Sequence, residues 1–194
     1  MTIPARLDPL LQQFDFAFDR LVIRLEGMTD AEYRWEPAPG CWSIRERGTP
    51  AGNRAYGGGD WLLEFNMPPP TPEPFTTTAW RLSHLATGLA MRADYTIGSK
   101  AMAWDDFIVP ATAADAIATL VASGTGWREA LTSVDDAALD RIGHSSFPWG
   151  IDPDLPFLDI CWWVNQEVLH HGAENALLRD LYRSQSVSPT RDLA

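Results

Sequence analysis

The sequence is short of cysteine, of positive charge and of long apolar runs. Its two cysteines, Cys41 and Cys161, lie far apart and form no CxxC pair, which is typical of a cytoplasmic protein with reduced thiols. Acidic residues outnumber basic ones by 26 to 15, and the formal net charge of −11 disfavours nucleic acid and anionic membranes as partners. No apolar run reaches the roughly 20 residues that span a bilayer, and the first residues lack the layout of a signal peptide.

What the sequence does contain is helical periodicity in four long segments. Apolar residues recur at helical spacing over residues 6–26, 76–97, 112–134 and 154–183, and a short helix is predicted over 31–35. No strand-like alternation is strong enough to build a sheet. The sequence therefore predicts an all-α four-helix bundle, with residues 1–185 as a single domain and 186–194 as a flexible C-terminal tail.

A long segment between the first two long helices differs in composition. Residues 38–75 contain runs of glycine and proline that interrupt regular elements, yet they also carry several aromatic residues. Aromatic residues would have little use in a free linker, so we expect an ordered loop that lies over one end of the bundle. The run Gly57–Gly59 is no phosphate loop, because no GK[ST] follows it.

The fourth predicted helix carries the strongest functional signal. Steps of four and three residues define one face that is apolar at both ends and polar in the middle, where Glu167, His171 and Glu174 lie. Burying such groups costs several kcal/mol unless each finds a partner. Since residues at i and i+4 project from the same face, Glu167 and His171 can ligate one metal ion.

A third ligand must come from another helix, and His84 in the second long helix is the candidate. Two histidines and one carboxylate with open positions describe a catalytic zinc site and also a non-haem iron site. Glu174 is predicted to orient a ligand or to carry a proton, or else to pair with Arg179 or His170. His170 is expected at the rim, and a satisfied polar network without metal remains the structural alternative.

The same residues resemble a known family. The segments WRLSHLATGL, which contains His84, and VNQEVLHHGAENALLRDLYR, which begins at Val164, are similar to the second and fourth helices of the DinB-like superfamily. Tyr33–Arg45 also resembles a DinB-like subgroup. The superfamily includes the mycothiol- and bacillithiol-dependent S-transferases. Its usual ligands are one histidine from helix 2 and an HxxxH pair from helix 4, so Glu167 stands where the family has histidine.

The resemblance implies a metal-dependent enzyme that acts on a small molecule. The expected activity is thiol S-transfer of the mycothiol type, with a divalent metal and a low-molecular-weight thiol as co-substrate. Zinc is the expected metal, with nickel, iron and manganese as alternatives. A homodimer is also implied. A metal-dependent hydrolase and a non-catalytic metal- or ligand-binding protein stand as alternative functions, because the same site could bind water in place of a thiol.

Overall fold

The computed structural model describes residues 2–143 and 154–185. The helices are α1 (Asp8–Leu25), α2 (Asp30–Tyr33), α3 (Thr78–Ile97), α4 (Ala113–Ser133) and α5 (Phe157–Gln185), and the strands are β1 (Ile44–Glu46) and β2 (Trp61–Leu63). Two short 3-10 turns cover Trp104–Asp106 and Asp136–Asp140. The predicted tail 186–194 lies outside the described residues, and the single-domain boundary at residue 185 stays a prediction.

The four long helices α1, α3, α4 and α5 confirm the predicted all-α bundle. In the bundle α3 packs along α4, and α1 packs along α5. Helices α3 and α4 begin where the sequence offers a capping oxygen: the Thr77 hydroxyl accepts the N–H of Trp80 at 3.2 Å, and the Thr112 hydroxyl accepts that of Asp115 at 3.1 Å. Among the described residues, no helix combines the length and hydropathy of a membrane span.

Helix α4 continues through two glycines that weaken its sequence signal. A Cβ atom at Gly124 would collide with the ring of Phe18, so the glycine lets α1 and α4 approach closely. Phe18 in turn stacks on Phe14 with ring centroids 5.3 Å apart. The local cost of glycine in a helix, about 1 kcal/mol, is offset by the burial of these two rings.

The segment between α2 and α3 is ordered, as predicted, but it contains regular structure that the sequence analysis missed. Strands β1 and β2 pair antiparallel, with Ile44 opposite Leu63. The Glu64 carboxylate accepts the backbone N–H of Ser43 at 2.7 Å and the Nε–H of Arg45 at 2.9 Å. Strands of three residues are too short to show a period-2 pattern in sequence, so a glycine- and proline-rich segment concealed them.

The triple glycine has a packing role. Gly58 donates its N–H to the carbonyl of Phe107 at 2.9 Å, and a Cβ atom at Gly58 would collide with the carbonyl oxygen of Asp105. Only glycine permits this approach between the two backbones. Nearby, the rings of Tyr56 and Trp104 lie 4.5 Å apart. The glycine run therefore joins the loop to the segment that follows α3.

The connection after α3 depends on one carboxylate, and we predict a pH-dependent contribution from it. Asp94 accepts the N–H of Ser99 at 2.8 Å and those of Ala101 and Met102 at 3.0 Å each. Burial alone would raise the pKa of Asp94, but these hydrogen bonds outweigh it and lower the pKa. The stabilisation is therefore complete above the unfolded-state pKa of about 3.9 and is lost as the pH falls through the lower folded-state value.

Asp94→Asn is expected to lower the free energy of unfolding at pH 7 by about 1 kcal/mol. This loss is smaller than for hydrogen bonds to a fully buried carboxylate, because water partly solvates the Asp94 carboxylate. Urea denaturation at pH 7 and at pH 3 measures the difference. The difference in the free energy of unfolding between wild type and variant should be smaller at pH 3 than at pH 7. An equal gap at both pH values would contradict the assignment of the effect to the carboxylate charge.

Candidate metal centre

Three side chains from two helices converge in the bundle. Helix α5 presents Glu167 and His171 one turn apart, and α3 presents His84 opposite them. Glu167 Oε2 lies 3.3 Å from His84 Nε2 and 3.4 Å from His171 Nε2. One ligand atom from each of the three residues falls within 4.8 Å of the others. The structure therefore brings together the three residues that the sequence predicted as metal ligands.

The spacing of these atoms is compatible with one shared metal ion. Two ligands bound at about 2.0–2.2 Å in a tetrahedral site are roughly 3.3–3.5 Å apart. The distances of 3.3 and 3.4 Å from the Glu167 oxygen agree with that edge length. They are longer than the roughly 2.9 Å typical of an N–H···O bond. Imidazole nitrogen and carboxylate oxygen are also the donors that zinc and other divalent transition metals accept.

Burial and charge act in opposite directions on Glu167. Its partial burial alone would raise the pKa of the carboxyl, but the contacts with His171 and His84 dominate and hold that pKa well below its usual range. Burial lowers the pKa of His171, the contact with Glu167 opposes this shift, and the positive charge of Arg81 adds to it. An ionised carboxylate beside a neutral imidazole is the protonation state that metal binding requires.

A second layer of contacts orients His171. Its Nδ1 lies 2.8 Å from Glu174 Oε2. In the tautomer that carries its proton on Nδ1, this nitrogen donates to the Glu174 carboxylate and Nε2 is free to bind a metal ion. The buried guanidinium of Arg81 pairs with the same Glu174 oxygen and lies 3.3 Å from His171 Nδ1. Burial lowers the pKa of Arg81 to about 10, so the group stays cationic at neutral pH. The orienting role predicted for Glu174 would act through this contact with His171, and it stays a prediction.

His170 lies at the rim, as expected, with its side chain 59% exposed. Its Nε2 is 3.2 Å from Glu174 Oε1, which places His170, His171 and Glu174 in a second cluster of potential metal ligands. Glu174 already forms an ion pair with Arg81. This second cluster is therefore expected to bind a cation more weakly than the first. The suggested pair between Glu174 and Arg179 is not formed, because Arg179 binds Glu32 instead.

An aromatic stack holds His84 in place. The Trp80 ring stacks on the His84 imidazole with centroids 4.9 Å apart and planes at 16°. Trp80 donates its indole N–H to the carbonyl of Glu64 at 2.8 Å, and its ring lies 6.1 Å from Trp42. Trp42 and Glu64 both belong to the loop between α2 and α3. The loop therefore supports one candidate ligand through two tryptophans, although it contributes no ligand among the described residues.

A small pocket of about 30 Å³ is lined by two of the three residues, His84 and Glu167. His84 and Glu167 form one end of it, and Arg92 forms the other, with the Arg92 guanidinium 4.9 Å from the ring of Trp163. Apolar side chains of α3 and α5 and the Trp104 ring complete the walls. Two of the three candidate metal ligands therefore border a pocket between α3 and α5.

Sequence reasoning missed Arg81. Arg81 precedes His84 by three residues, and this spacing places the two side chains next to each other on the helix surface. The spacing could therefore have predicted a positive charge beside the candidate metal ligands. The prediction for Cys161 agrees with its surroundings: the thiol is buried, and burial raises its pKa to about 12. A thiol with that pKa is protonated at neutral pH and is a poor nucleophile.

Comparison with known proteins agrees with the fold and the placement of these residues. The family model for the DinB superfamily matches residues 63–174, a range that contains His84, Glu167, His171 and Glu174. The match covers more than half of the chain, which therefore belongs to the DinB superfamily. No curated protein and no solved structure matched the chain in the same comparisons.

Proposed function

We propose that this DinB superfamily protein is a divalent-metal-dependent enzyme that transfers a low-molecular-weight thiol to a small molecule. The observation that carries the proposal is the convergence of His84, Glu167 and His171 at spacings suited to one ion. These three residues would hold the metal, with zinc expected. A divalent ion there would supply Lewis acidity, which lowers the pKa of a bound thiol or water.

The charges of the site favour an anionic reactant once a metal is present. With both imidazoles neutral, Glu167, Glu174 and Arg81 sum to one negative charge, since two carboxylates face one guanidinium. A divalent cation would change that sum to one positive charge. The site would then attract a thiolate, because opposite charges in a partly buried setting interact more strongly than in water.

In this proposal, neighbouring side chains orient the two histidine rings that would bind the metal. Glu174, held by Arg81, fixes the His171 ring so that Nε2 points toward Glu167. Trp80 fixes the His84 ring from the other side. In the transfer the thiol gives up its proton, its sulfur forms a bond to an electrophilic carbon, and the group leaving that carbon takes both bonding electrons and then a proton.

The pocket favours a thiol over water as the reactant. Its walls are mostly apolar. A thiol is less strongly hydrated than water, so moving it from solvent into an apolar pocket costs less free energy. Thiol transfer also agrees with the activity of the S-transferases that the sequence resembles. Metal-dependent hydrolysis would use the same ligands, and an assay with and without added thiol separates the two activities.

Metal analysis of the purified, untagged protein tests the proposal first. We expect about one divalent metal ion per chain after incubation with zinc, and loss of most of it in His84→Ala and in His171→Ala, since each variant removes one of three protein ligands. Inductively coupled plasma mass spectrometry provides the measurement.

His170→Ala is the matched control, because it removes an imidazole adjacent to His171 that belongs only to the second cluster. This variant should keep its metal. Equal metal content in wild type and His84→Ala would refute the proposed centre. A loss in His170→Ala as large as that in His171→Ala would move the site to the cluster around Glu174.

A further inference from the structure

Gly88 occupies a position where glycine weakens the helix. It lies in the interior of α3, four residues after His84 and four before Arg92, so the three positions share one face of the helix. Glycine in a helix interior is destabilising relative to alanine. A glycine at this position therefore needs a reason, either in packing or in function.

Packing does not supply the reason. A Cβ atom at Gly88 would meet no atom within 4 Å among the described residues, and the backbone at Gly88 is not in the left-handed conformation that favours glycine. Gly124 in α4 is the contrasting case, because its missing Cβ makes room for the Phe18 ring. At Gly88 the missing side chain leaves open space instead of admitting a neighbour.

That open space belongs to the pocket beside the candidate metal ligands. Gly88 lines the pocket between the end formed by His84 and Glu167 and the end formed by Arg92. The pocket volume is about 30 Å³. A water-sized group needs roughly 10–15 Å³ of cavity volume, so the pocket accommodates about two groups of that size.

We propose that Gly88 determines substrate specificity by keeping open a recess for a methyl- or ethyl-sized apolar group. The inference rests on the proposed function, because the group is carried next to the sulfur atom that approaches His84 and Glu167. The mostly apolar walls disfavour a strongly hydrated group, and the small volume favours a short apolar one. A side chain at residue 88 would occupy the space that this group needs.

Ethanethiol is the probe, and Gly88→Ala is the test variant. The matched control is Gly126→Ala, which also replaces a helix-interior glycine and gains only an ordinary contact of 3.8 Å with Ala93. Both variants should melt about 2–4 °C above wild type, because each gains helix propensity. In metal-free protein, ethanethiol binding is followed through the indole N–H signals of Trp104 and Trp163 by NMR. In the cobalt-loaded protein it is followed through the sulfur-to-cobalt absorption band.

Gly88→Ala is expected to weaken ethanethiol binding about tenfold in both forms, because one added methyl group overfills the recess, while Gly126→Ala binds as wild type does. Wild-type affinity in Gly88→Ala, or no saturable binding in wild type, overturns the inference. If no variant takes up cobalt but metal-free binding is still lost in Gly88→Ala alone, the recess is supported and the metal proposal fails.

Discussion

Replacing Arg179 with methionine is expected to lower the free energy of unfolding by about 3–5 kcal/mol. The Arg179 guanidinium is almost fully buried and pairs with Glu32, which is also buried, at 2.6 Å from Nε to Oε1. It also donates to the carbonyl oxygens of Arg24 and Glu26 at the end of α1. Methionine fills the space but removes the hydrogen bonds that the Arg179 guanidinium donates to the Glu32 carboxylate and to the end of α1.

The chain provides a matched control for this prediction. Arg183 lies one helical turn further along α5, with its Nε 3.7 Å from the same Glu32 oxygen, but its side chain is 50% exposed. Arg183→Met should cost less than about 1 kcal/mol, as is usual for exposed ion pairs. Urea denaturation followed by circular dichroism measures both variants. Similar losses in the two would contradict the argument that burial makes Arg179 decisive.

The second large expected effect is the stabilisation of the bundle by the proposed metal ion. Zinc at about 100 times its dissociation constant should add roughly 2.7 kcal/mol to the free energy of unfolding, because a ligand that binds only the folded state shifts the equilibrium toward it. For a chain of 194 residues that corresponds to a melting temperature about 5–10 °C higher. Differential scanning calorimetry with zinc, and again after chelation by EDTA, measures the shift.

Variants identify which residues carry that shift. Glu167→Gln keeps the size of the side chain but removes its negative charge, so it should abolish most of the zinc-dependent stabilisation while the metal-free protein still folds. His170→Ala should respond to zinc as wild type does, since its imidazole is exposed at the rim. A full zinc response in Glu167→Gln would show that the ion binds elsewhere on the chain.

Much of the fold could be predicted from sequence because the helices are long and amphipathic. The predicted range 76–97 differs by only two residues at its start from α3, and Thr112 caps α4 as its position before the apolar pattern indicated. Strands β1 and β2 could not be predicted, since three residues show no periodicity and their pairing depends on contacts across the loop. The expected thiol, the homodimer and the single-domain boundary stay predictions.

The sequence by itself determined which candidate ligands lie on which helix. The spacing of Glu167, His171 and Glu174 places them on one face of a helix whatever surrounds it, because helix geometry is local. Apolar residues on both sides of these three along the same face also indicated that the face is buried. The structure agrees, because Ile160, Val164 and Leu178 on that face are buried.

Only the tertiary structure decided which groups meet across helices. Arg81 rather than Arg179 pairs with Glu174, and Arg179 pairs with Glu32, 147 residues away in sequence. Trp80 supports His84 because a distant loop folds back onto α3. Such contacts depend on the relative placement and rotation of packed helices, which residue spacing within one helix does not specify.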